Sequence, residues 1–553
     1  MTRRGLLHGV LVLAVCNAFF LALEMPRHQG PGPDWLAFEA LVLAGVFLLV
    51  RSPLLRRLLG AGAGCLLASL GVLAGLDAIT RLSLGRPLNV YLDYPLALSV
   101  YELAATTLTP AAGVAIVAGL LAALLVIGIG GARLLTGLRP AGGGRGRWPG
   151  AALLVIGLAG IASVHAGPWI PHTATPGVTL MVDQVAWGLR THRESRAFQA
   201  LLAEDGAVPA TRLEALRGVD VIVGFIESYG TAAVFDDRYG PIVRPRLLAL
   251  GREVDAAGLH MVSGTLRSPV AGGQSWLAHA SALSGLWVDN QLRYELLLRR
   301  RRDTLVQDFA RTGHRTAAIK PAITRAWPEG RWYGFDTILD AEGMDYRGPA
   351  FNWVTMPDQF TWWRFHEGVR QASDRPVFGV LSLISSHAPW VPILPVLDDW
   401  ERLGDGAVFA QWQGAGETPE RLWQDPERVR THFAAAVAYA LEVAGGYAAR
   451  YADADTLLIV LGDHQPAPLI TGPDAARTVP VHVISGDPAL LAPFRERGFI
   501  PGPLPATAEA RAGLDALRSW IHDGYAGGQS PRAACGDARC GSKPSTTSSS
   551  RRR

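Results

Sequence analysis

Apolar residues are not spread evenly along this chain of 553 residues; they crowd into its first third. Five segments there, roughly 5–24, 35–50, 57–78, 111–130 and 150–168, are apolar over lengths close to the ~20 residues that a helix needs to cross a bilayer core. In lipid every backbone N–H and C=O must be satisfied within the segment, so each is expected to be a helix. Residues 1–170 are therefore expected to form a bundle of about five transmembrane helices. The second segment, WLAFEALVLAGVFLLV, is short and carries Glu39, which sits less easily in a bilayer. The first opens with arginines as a signal peptide does. Its apolar core runs long, however, and it ends in LALEMPRHQ with no small-x-small cleavage site, which reads as an uncleaved anchor.

Arginines set the orientation. Arg3 and Arg4 precede the first segment; Arg51, Arg56 and Arg57 come after the second; Arg133, Arg139, Arg145 and Arg147 lie between the fourth and fifth. The positive-inside rule puts these loops and the N-terminus in the cytoplasm, and an odd number of spans puts everything after residue 170 outside a plasma (inner) membrane, in the periplasm or its equivalent. The loop 80–110 is aromatic and amphipathic and reads equally as a segment lying on the membrane surface or as an ordinary loop. The net charge of +4 comes from scattered arginines, not from a basic stripe interleaved with aromatics, so nucleic acid is not an expected partner. Cys16 and Cys65 lie in apolar segments and Cys535 and Cys540 in the tail, which leaves residues 170–530 without a thiol. That removes zinc-thiolate sites and cysteine nucleophiles from this region, and it is compatible with an oxidising compartment.

From residue 218 the pattern changes. VDVIVGFIE (219–227), RPVFGVLSLISSH (375–387) and DTLLIVLGDH (455–464) are apolar on both faces, as strands of a parallel sheet covered by helices are. RLLALGREVDAAG and HFAAAVAYALEVAGGYAARYA read as covering helices. The expected organisation is a transmembrane region 1–170, a helical connector 171–217, an α/β domain 218–528 with a mainly parallel central sheet, and a polar, disordered tail 529–553.

All three strands end in ionisable residues: Glu227, His387 and the pair Asp463-His464. Sites in open α/β sheets form at the carboxyl ends of strands, so three such ends predict one shared site, with a metal ion as the natural reason for Asp beside His. A nucleophile candidate lies between the first two strands, in SPVAGGQSWLAHASALSGLWVDN. Gly272-Gly273 make a turn and a helix is expected to start near Ser275. Taken alone, a Ser there is a helix N-cap. Beside a metal it is a nucleophile at a helix N-terminus, with Gln274 placed to hydrogen-bond anionic oxygens. His279 lies at i+4 from Ser275, on the same face, either at the site or as a packing residue.

A Glu, a Gly-rich Ser turn and a Gly-Asp-His, in that order, resemble the alkaline phosphatase/sulfatase superfamily, and within it the membrane-anchored lipoteichoic-acid-synthase-like transferases. The resemblance covers most of residues 1–520. It implies an extracytoplasmic sulfatase-like domain behind about five membrane helices. It implies a metal held by Glu227, Ser275, Asp463 and His464, with Ser275 as the catalytic hydroxyl where the synthases have a Thr. His387 matches a histidine that contacts the transferred group. AIKPAITRAWPEGRWYGFD (318–336) resembles the head-group segment: Trp327 fits its aromatic position, Lys320 stands where the synthases have a His, and Arg331 is displaced from the Trp compared with theirs. The likeness implies Mn²⁺, with Zn²⁺ and Mg²⁺ also suited to an oxygen-rich set with one imidazole. The residues after Ser275 are Trp-Leu-Ala-His, not the x-Pro-x-Arg of formylglycine sulfatases, which argues against sulfate-ester hydrolysis by that route.

The expected function is transfer of a phospho-linked head group, phosphoglycerol or phosphoethanolamine, from a membrane lipid donor through Ser275 to a glycan or glycolipid acceptor. The alternatives are a phosphodiesterase or phosphatase with the same site, and an inactive sulfatase-like binding module. Trp362, Trp363, Trp390 and Trp400 are expected in the core or facing the membrane, Asp236-Asp237 in a solvated loop, and His482 packed on a strand.

Overall fold

The computed structural model describes residues 3–28, 30, 32–94, 110–138, 147–167, 171–204 and 211–527. The tail 529–553 with Cys535 and Cys540, and residues 95–109 of the amphipathic loop, lie outside the described residues. The chain divides into two compact units, Met1–Gln199 and Ala200–Arg553.

The first unit is helical: α1 (Arg3–Ala22), α2 (Phe38–Leu49), α3 (Pro53–Leu84), α4 (Pro110–Thr136), α5 (Trp148–Ala166) and α6 (Pro176–Glu204). Three of these, α3, α4 and α5, are long and apolar enough to cross a membrane. The other two expected segments are the shorter apolar helices Leu6–Ala22 and Phe38–Leu49. The twelve residues of α2 span about 18 Å, less than a hydrocarbon core. Small residues let helices meet at the backbone: a Cβ on Gly64 of α3 would lie 2.2 Å from the Gly128 carbonyl of α4. Glu39 has a structural task. Its Oε1 accepts from the N–H groups of Gly177 at 2.9 Å and Val178 at 3.1 Å, satisfying two of the free donors at the start of α6. The acid that weakened the second segment as a span is thus the cap of the helix expected as a connector.

The second unit is built on an eight-stranded sheet: β1 (Asp220–Ile226), β2 (His260–Arg267), β3 (Arg315–Lys320), β4 (Thr337–Asp340), β5 (Val377–Leu383), β6 (Thr456–Gly462), β7 (Thr478–Ser485) and β8 (Ile500–Pro501), in the order β8-β2-β7-β6-β1-β5-β3-β4. The strands from β6 through β4 in this order run parallel. The other flank is antiparallel: β7 against β6 and β2, and β8 against β2. The sheet is therefore mixed, and its parallel part holds the three strands whose two apolar faces marked them in the sequence. Both faces of β6 are buried throughout, and β1 is buried except at Asp220.

Helix α7 (Gly240–Ala256) and the long helix α11 (Pro426–Tyr451) are the two covering helices expected from periodicity. Val243, Leu247 and Leu250 of α7 join Phe433, Val437 and Tyr447 of α11 in one buried cluster against Ile222, Leu381 and Val460 of the sheet. Between them in sequence come α8 (Ser275–Ser284), α9 (Leu305–Thr312) and α10 (Asp358–Phe365), and α12 (Ala516–Tyr525) closes the unit. Trp362, Trp390 and Trp400 are buried, as core aromatics are expected to be. His482 is packed too: its ring nitrogens lie 3.0 Å from the Tyr229 hydroxyl and 2.8 Å from that of Ser263. Asp236 pairs with Arg238.

Candidate active site

Strand register builds the site. On β1, Ile226 pairs with Gly462 of β6 on one side and Leu383 of β5 on the other. Three strand ends therefore fall on one line, and the residues just beyond them are brought together. Gly462 is required at this line, because a Cβ there would lie 1.8 Å from the Tyr229 carbonyl oxygen. Beyond β1 the chain turns sharply, with Ser228 in the left-handed region at φ 57°. Its N–H donates to Asp463 Oδ1 at 2.8 Å, and its hydroxyl to Glu227 Oε1 at 2.9 Å.

Glu227, Asp463 and His464 each offer a ligand atom within 4.8 Å of one another. His464 Nε2 lies 3.3 Å from Glu227 Oε1 and 3.8 Å from Asp463 Oδ2. Its Nδ1 is 2.8 Å from the Gln465 carbonyl oxygen, a contact that holds the proton on Nδ1 and turns Nε2 inward. Ser275 completes the group: its Oγ donates to Glu227 Oε2 at 3.0 Å and lies 3.1 Å from His464 Nε2. The N-cap position of α8 is Gln274, so Ser275 is the first helical residue and its hydroxyl does not cap the helix. The capping role for this serine is thereby excluded.

The charges of this pocket are unbalanced. Burial raises the Asp463 carboxyl to about 7, with the Glu227 charge adding to the effect. Burial alone would also raise Glu227, but His464, His387 and the Ser228 hydroxyl reverse this and hold it well below the ordinary carboxylate range. Against its own burial, His464 is raised to about 9 by Asp463 and Glu227. Two shielded carboxylates thus hold a proton on an imidazole whose free nitrogen faces them. That donor set fits a divalent cation, which would take the proton's place.

Of the residues expected to bind substrate, Lys320 and His387 flank this pocket. Lys320, the last residue of β3, donates to Ser382 Oγ at 2.9 Å and lies 3.2 Å from His279 Nδ1. Its Nζ is 5.8 Å from the centre of the Trp327 ring. His387 acts electrostatically on Glu227, and its ring centre is 6.1 Å from that of Trp353. Arg331 and Gln274 have no hydrogen bond to Glu227, Ser275, Asp463 or His464 among the described residues. Arg331 is exposed on the short helix Glu329–Tyr333, where its side chain makes no hydrogen bond to the site among the described residues. Gln274 has a left-handed backbone at φ 64° and its side chain makes no capping hydrogen bond to α8 among the described residues.

Supporting residues carry no local mark in the sequence. The buried Asp358, at the start of α10, accepts from the N–H groups of Ile384 at 2.7 Å and Ser385 at 2.9 Å, which fixes the loop that carries His387. Trp390 Nε1 donates to the Ser386 carbonyl at 2.7 Å and braces the same loop. Pro-Asp before an apolar run marks a helix start; nothing in it points to a loop 26 residues away.

No family model matches the chain, and no curated sequence does. Solved structures do. The chain is similar to the integral membrane lipooligosaccharide phosphoethanolamine transferase EptA from Neisseria meningitidis, with 13% identity, 94% of each chain covered and a TM-score of 0.48. It is similar to the lipoteichoic acid synthase LtaP from Listeria monocytogenes (14% identity, 53% of this chain and 71% of that one, TM-score 0.34). The phosphoglycerol transferase GacH from Streptococcus pyogenes is also similar (11%, 60% and 90%, TM-score 0.36).

Proposed function

We propose that this chain is a membrane-anchored phosphotransferase that moves a phospho-linked head group from a lipid to a hydroxyl acceptor through a Ser275 ester. One observation carries the reading: the Ser275 hydroxyl is hydrogen-bonded at once to a carboxylate and an imidazole of a three-residue cation pocket. A serine that is only structural has no need of two metal-type ligands around its oxygen.

Glu227, Asp463, His464 and Ser275 are the residues to hold a divalent ion, Mn²⁺ by the motif resemblance or Zn²⁺ or Mg²⁺ by donor type. Such an ion supplies charge neutralisation and a lowered hydroxyl pKa. In the first half-reaction Ser275 Oγ attacks phosphorus, the Oγ–P bond forms as the P–O bond to the lipid breaks, and the Ser275 proton ends on the departing alkoxide oxygen. In the second, the acceptor hydroxyl attacks the same phosphorus, the P–Oγ bond breaks and Ser275 regains its proton. Lys320 and His387, on the pocket's flank, are suited to hold the anionic oxygens. The motif resemblance supports phosphoglycerol or phosphoethanolamine as the group, and a glycan or glycolipid as the acceptor. The apolar helices keep the site near its donor and raise the effective concentration, with the second unit on the outer face of the plasma membrane as the arginine-rich loops direct.

The test is made on the full-length protein in detergent, supplied with Mn²⁺ or Zn²⁺ and with phosphatidylglycerol or phosphatidylethanolamine. Peptide mass spectrometry is expected to find a head-group adduct on Ser275 that is discharged by a glycolipid. Release of free head group in place of transfer makes the chain a hydrolase. Metal binding without adduct or turnover overturns the lipid substrate, and absence of metal binding overturns the active site.

A further inference from the structure

Lys320 is 6% exposed, and among the described residues no carboxylate lies within ion-pair distance of its ammonium. Its hydrogen-bond partners are neutral: His279 Nδ1 at 3.2 Å and Ser382 Oγ at 2.9 Å. The face of Trp327 covers another side at 5.8 Å. Taking a cation out of water without a counter-ion is costly, and such a group is normally neutralised, paired or kept for use. Burial accordingly drops Lys320 to about 7, against the pull of Asp463. A cation held by Asp463 would offset that pull and leave an anion wanting beside Lys320.

His279 determines where Lys320 can offer a proton. It lies one turn along α8 from Ser275, with its ring centre 4.2 Å from that of Phe225 on β1. Burial, then the Lys320 charge, hold its pKa well below the ordinary imidazole value despite Glu227. A neutral imidazole that accepts at Nδ1 carries its proton on Nε2, and that nitrogen is buried with no hydrogen-bond partner among the described residues. The ring has therefore given up a hydrogen bond at one nitrogen while keeping the contact to Lys320 at the other. Of the three ammonium N–H groups, two are taken by His279 and Ser382, and among the described residues the third has no partner and is open to a ligand.

We propose that His279 is a positioning residue: with Ser382 it fixes the Lys320 ammonium so that its remaining N–H binds an anionic oxygen of a phosphate ester held against Ser275. This rests on the phosphotransfer reading for the identity of the ester. It assigns to the helix that carries the nucleophile a second task, that of aiming the cation which receives the phosphoryl group. Residues 279 and 320 are far apart in the chain, and the pairing exists because α8 packs where β3 ends.

The test uses full-length, Mn²⁺-loaded protein and inorganic phosphate as the probe, with binding measured by isothermal titration calorimetry. His279→Leu and Lys320→Met are each expected to weaken phosphate about tenfold, and the double variant no further than Lys320→Met alone. His279→Asn, whose amide oxygen can stand near the Nδ1 position, is expected to stay within about threefold of wild type. Mn²⁺ affinity is expected to be unchanged in all of them. Should His279→Leu fail to fold, His279→Gln replaces it, since its amide reaches toward the Nε2 position and the same tenfold loss is expected. Wild-type phosphate affinity in His279→Leu or His279→Gln overturns the proposal. So does equal weakening by Asn and Leu, or a wild-type protein that binds Mn²⁺ but no phosphate. Phosphate binding that depends on His279, with no head-group transfer from lipid, overturns the transferase reading and leaves this one standing. Transfer that His279→Leu leaves unaltered does the reverse.

Discussion

The backbone N–H of Ser228 donates to Asp463 Oδ1 at 2.8 Å, joining the chain just past β1 to the chain just past β6 across 235 residues. The same oxygen accepts from His464 N at 2.6 Å. One oxygen of Asp463 thus ties the backbone beside Glu227 to that of His464, while its other oxygen faces the His464 ring. Strand pairing brings the two ends level, and this carboxylate ties them together.

Removing the close approach of these strand ends is expected to remove the site. Gly462→Ala puts a methyl group 1.8 Å from the Tyr229 carbonyl oxygen, a contact the backbone must move to relieve. We expect Mn²⁺ affinity by calorimetry to fall at least about tenfold, as it does when supporting residues of a metal site are lost. Asp463→Asn is expected to lose Mn²⁺ binding with the fold retained, as judged by circular dichroism. Wild-type affinity in either variant would remove Asp463 from the site.

Metal binding is expected to release protons at neutral pH. His464 is raised to about 9 and Asp463 to about 7, so the metal-free pocket holds protons there that a cation must displace. Titrating Mn²⁺ at pH 7 in buffers of different ionisation enthalpy is expected to show release of roughly one to two protons per ion, with affinity rising from pH 6 to 9. Both groups have raised values in the folded protein, so their contribution to stability is present at low pH. For Asp463 it is lost as pH rises from about 4 through about 7, and for His464 from about 6.5 through about 9. The metal-free protein is therefore expected to melt about 5 °C lower at pH 9 than at pH 6, and the Mn²⁺-loaded protein to lose less of that margin. Proton uptake on binding would contradict this charge balance.

Ser275→Ala is expected to abolish the head-group adduct and lower kcat by at least about a thousandfold, while Mn²⁺ affinity falls much less, since Glu227, Asp463 and His464 remain. Ser275→Thr keeps a hydroxyl at the first position of α8 and is expected to retain turnover within about a hundredfold. Turnover in Ser275→Ala equal to wild type would show that another group is the nucleophile.

A second buried charge cluster holds α12 to the domain. Asp308 of α9, fully buried, accepts from Arg518 Nε at 2.8 Å and lies 2.7 Å from His522 Nε2, both on α12, and it also accepts from Thr211 N at 2.9 Å. Arg518 is itself buried. Asp308→Ala removes the carboxylate that faces that cation and is expected to cost about 3–5 kcal/mol, measured as a shift of the urea unfolding midpoint. A change under about 1 kcal/mol would mean that water enters and replaces the carboxylate.

Local pattern was enough for much of this protein. Runs apolar on both faces mark β1, β5 and β6, because a strand covered on both sides has no polar face to show. The polar ends of those runs marked Glu227, His387, Asp463 and His464, and a Gly-Gly turn before a helical period marked Ser275. The antiparallel flank of β7, β2 and β8 was not legible, since an apolar strand carries no sign of its neighbour's direction. Nor was the tightness of the site: the φ of Ser228, the bonds of Asp463, the loop held by Asp358 and the pairing of His279 with Lys320 join residues far apart in the chain. The family resemblance pointed to Arg331 and its place before Ser275 to Gln274, and neither has a hydrogen bond to Glu227, Ser275, Asp463 or His464 among the described residues. The sequence by itself determined which segments are apolar, which strands are buried and which chemistry ends them, because these depend on neighbours in the chain. Which of those ends meet, and which side chains pair with Lys320, was decided by strand register and by the packing of α8 against the sheet, which act only once distant segments are in contact.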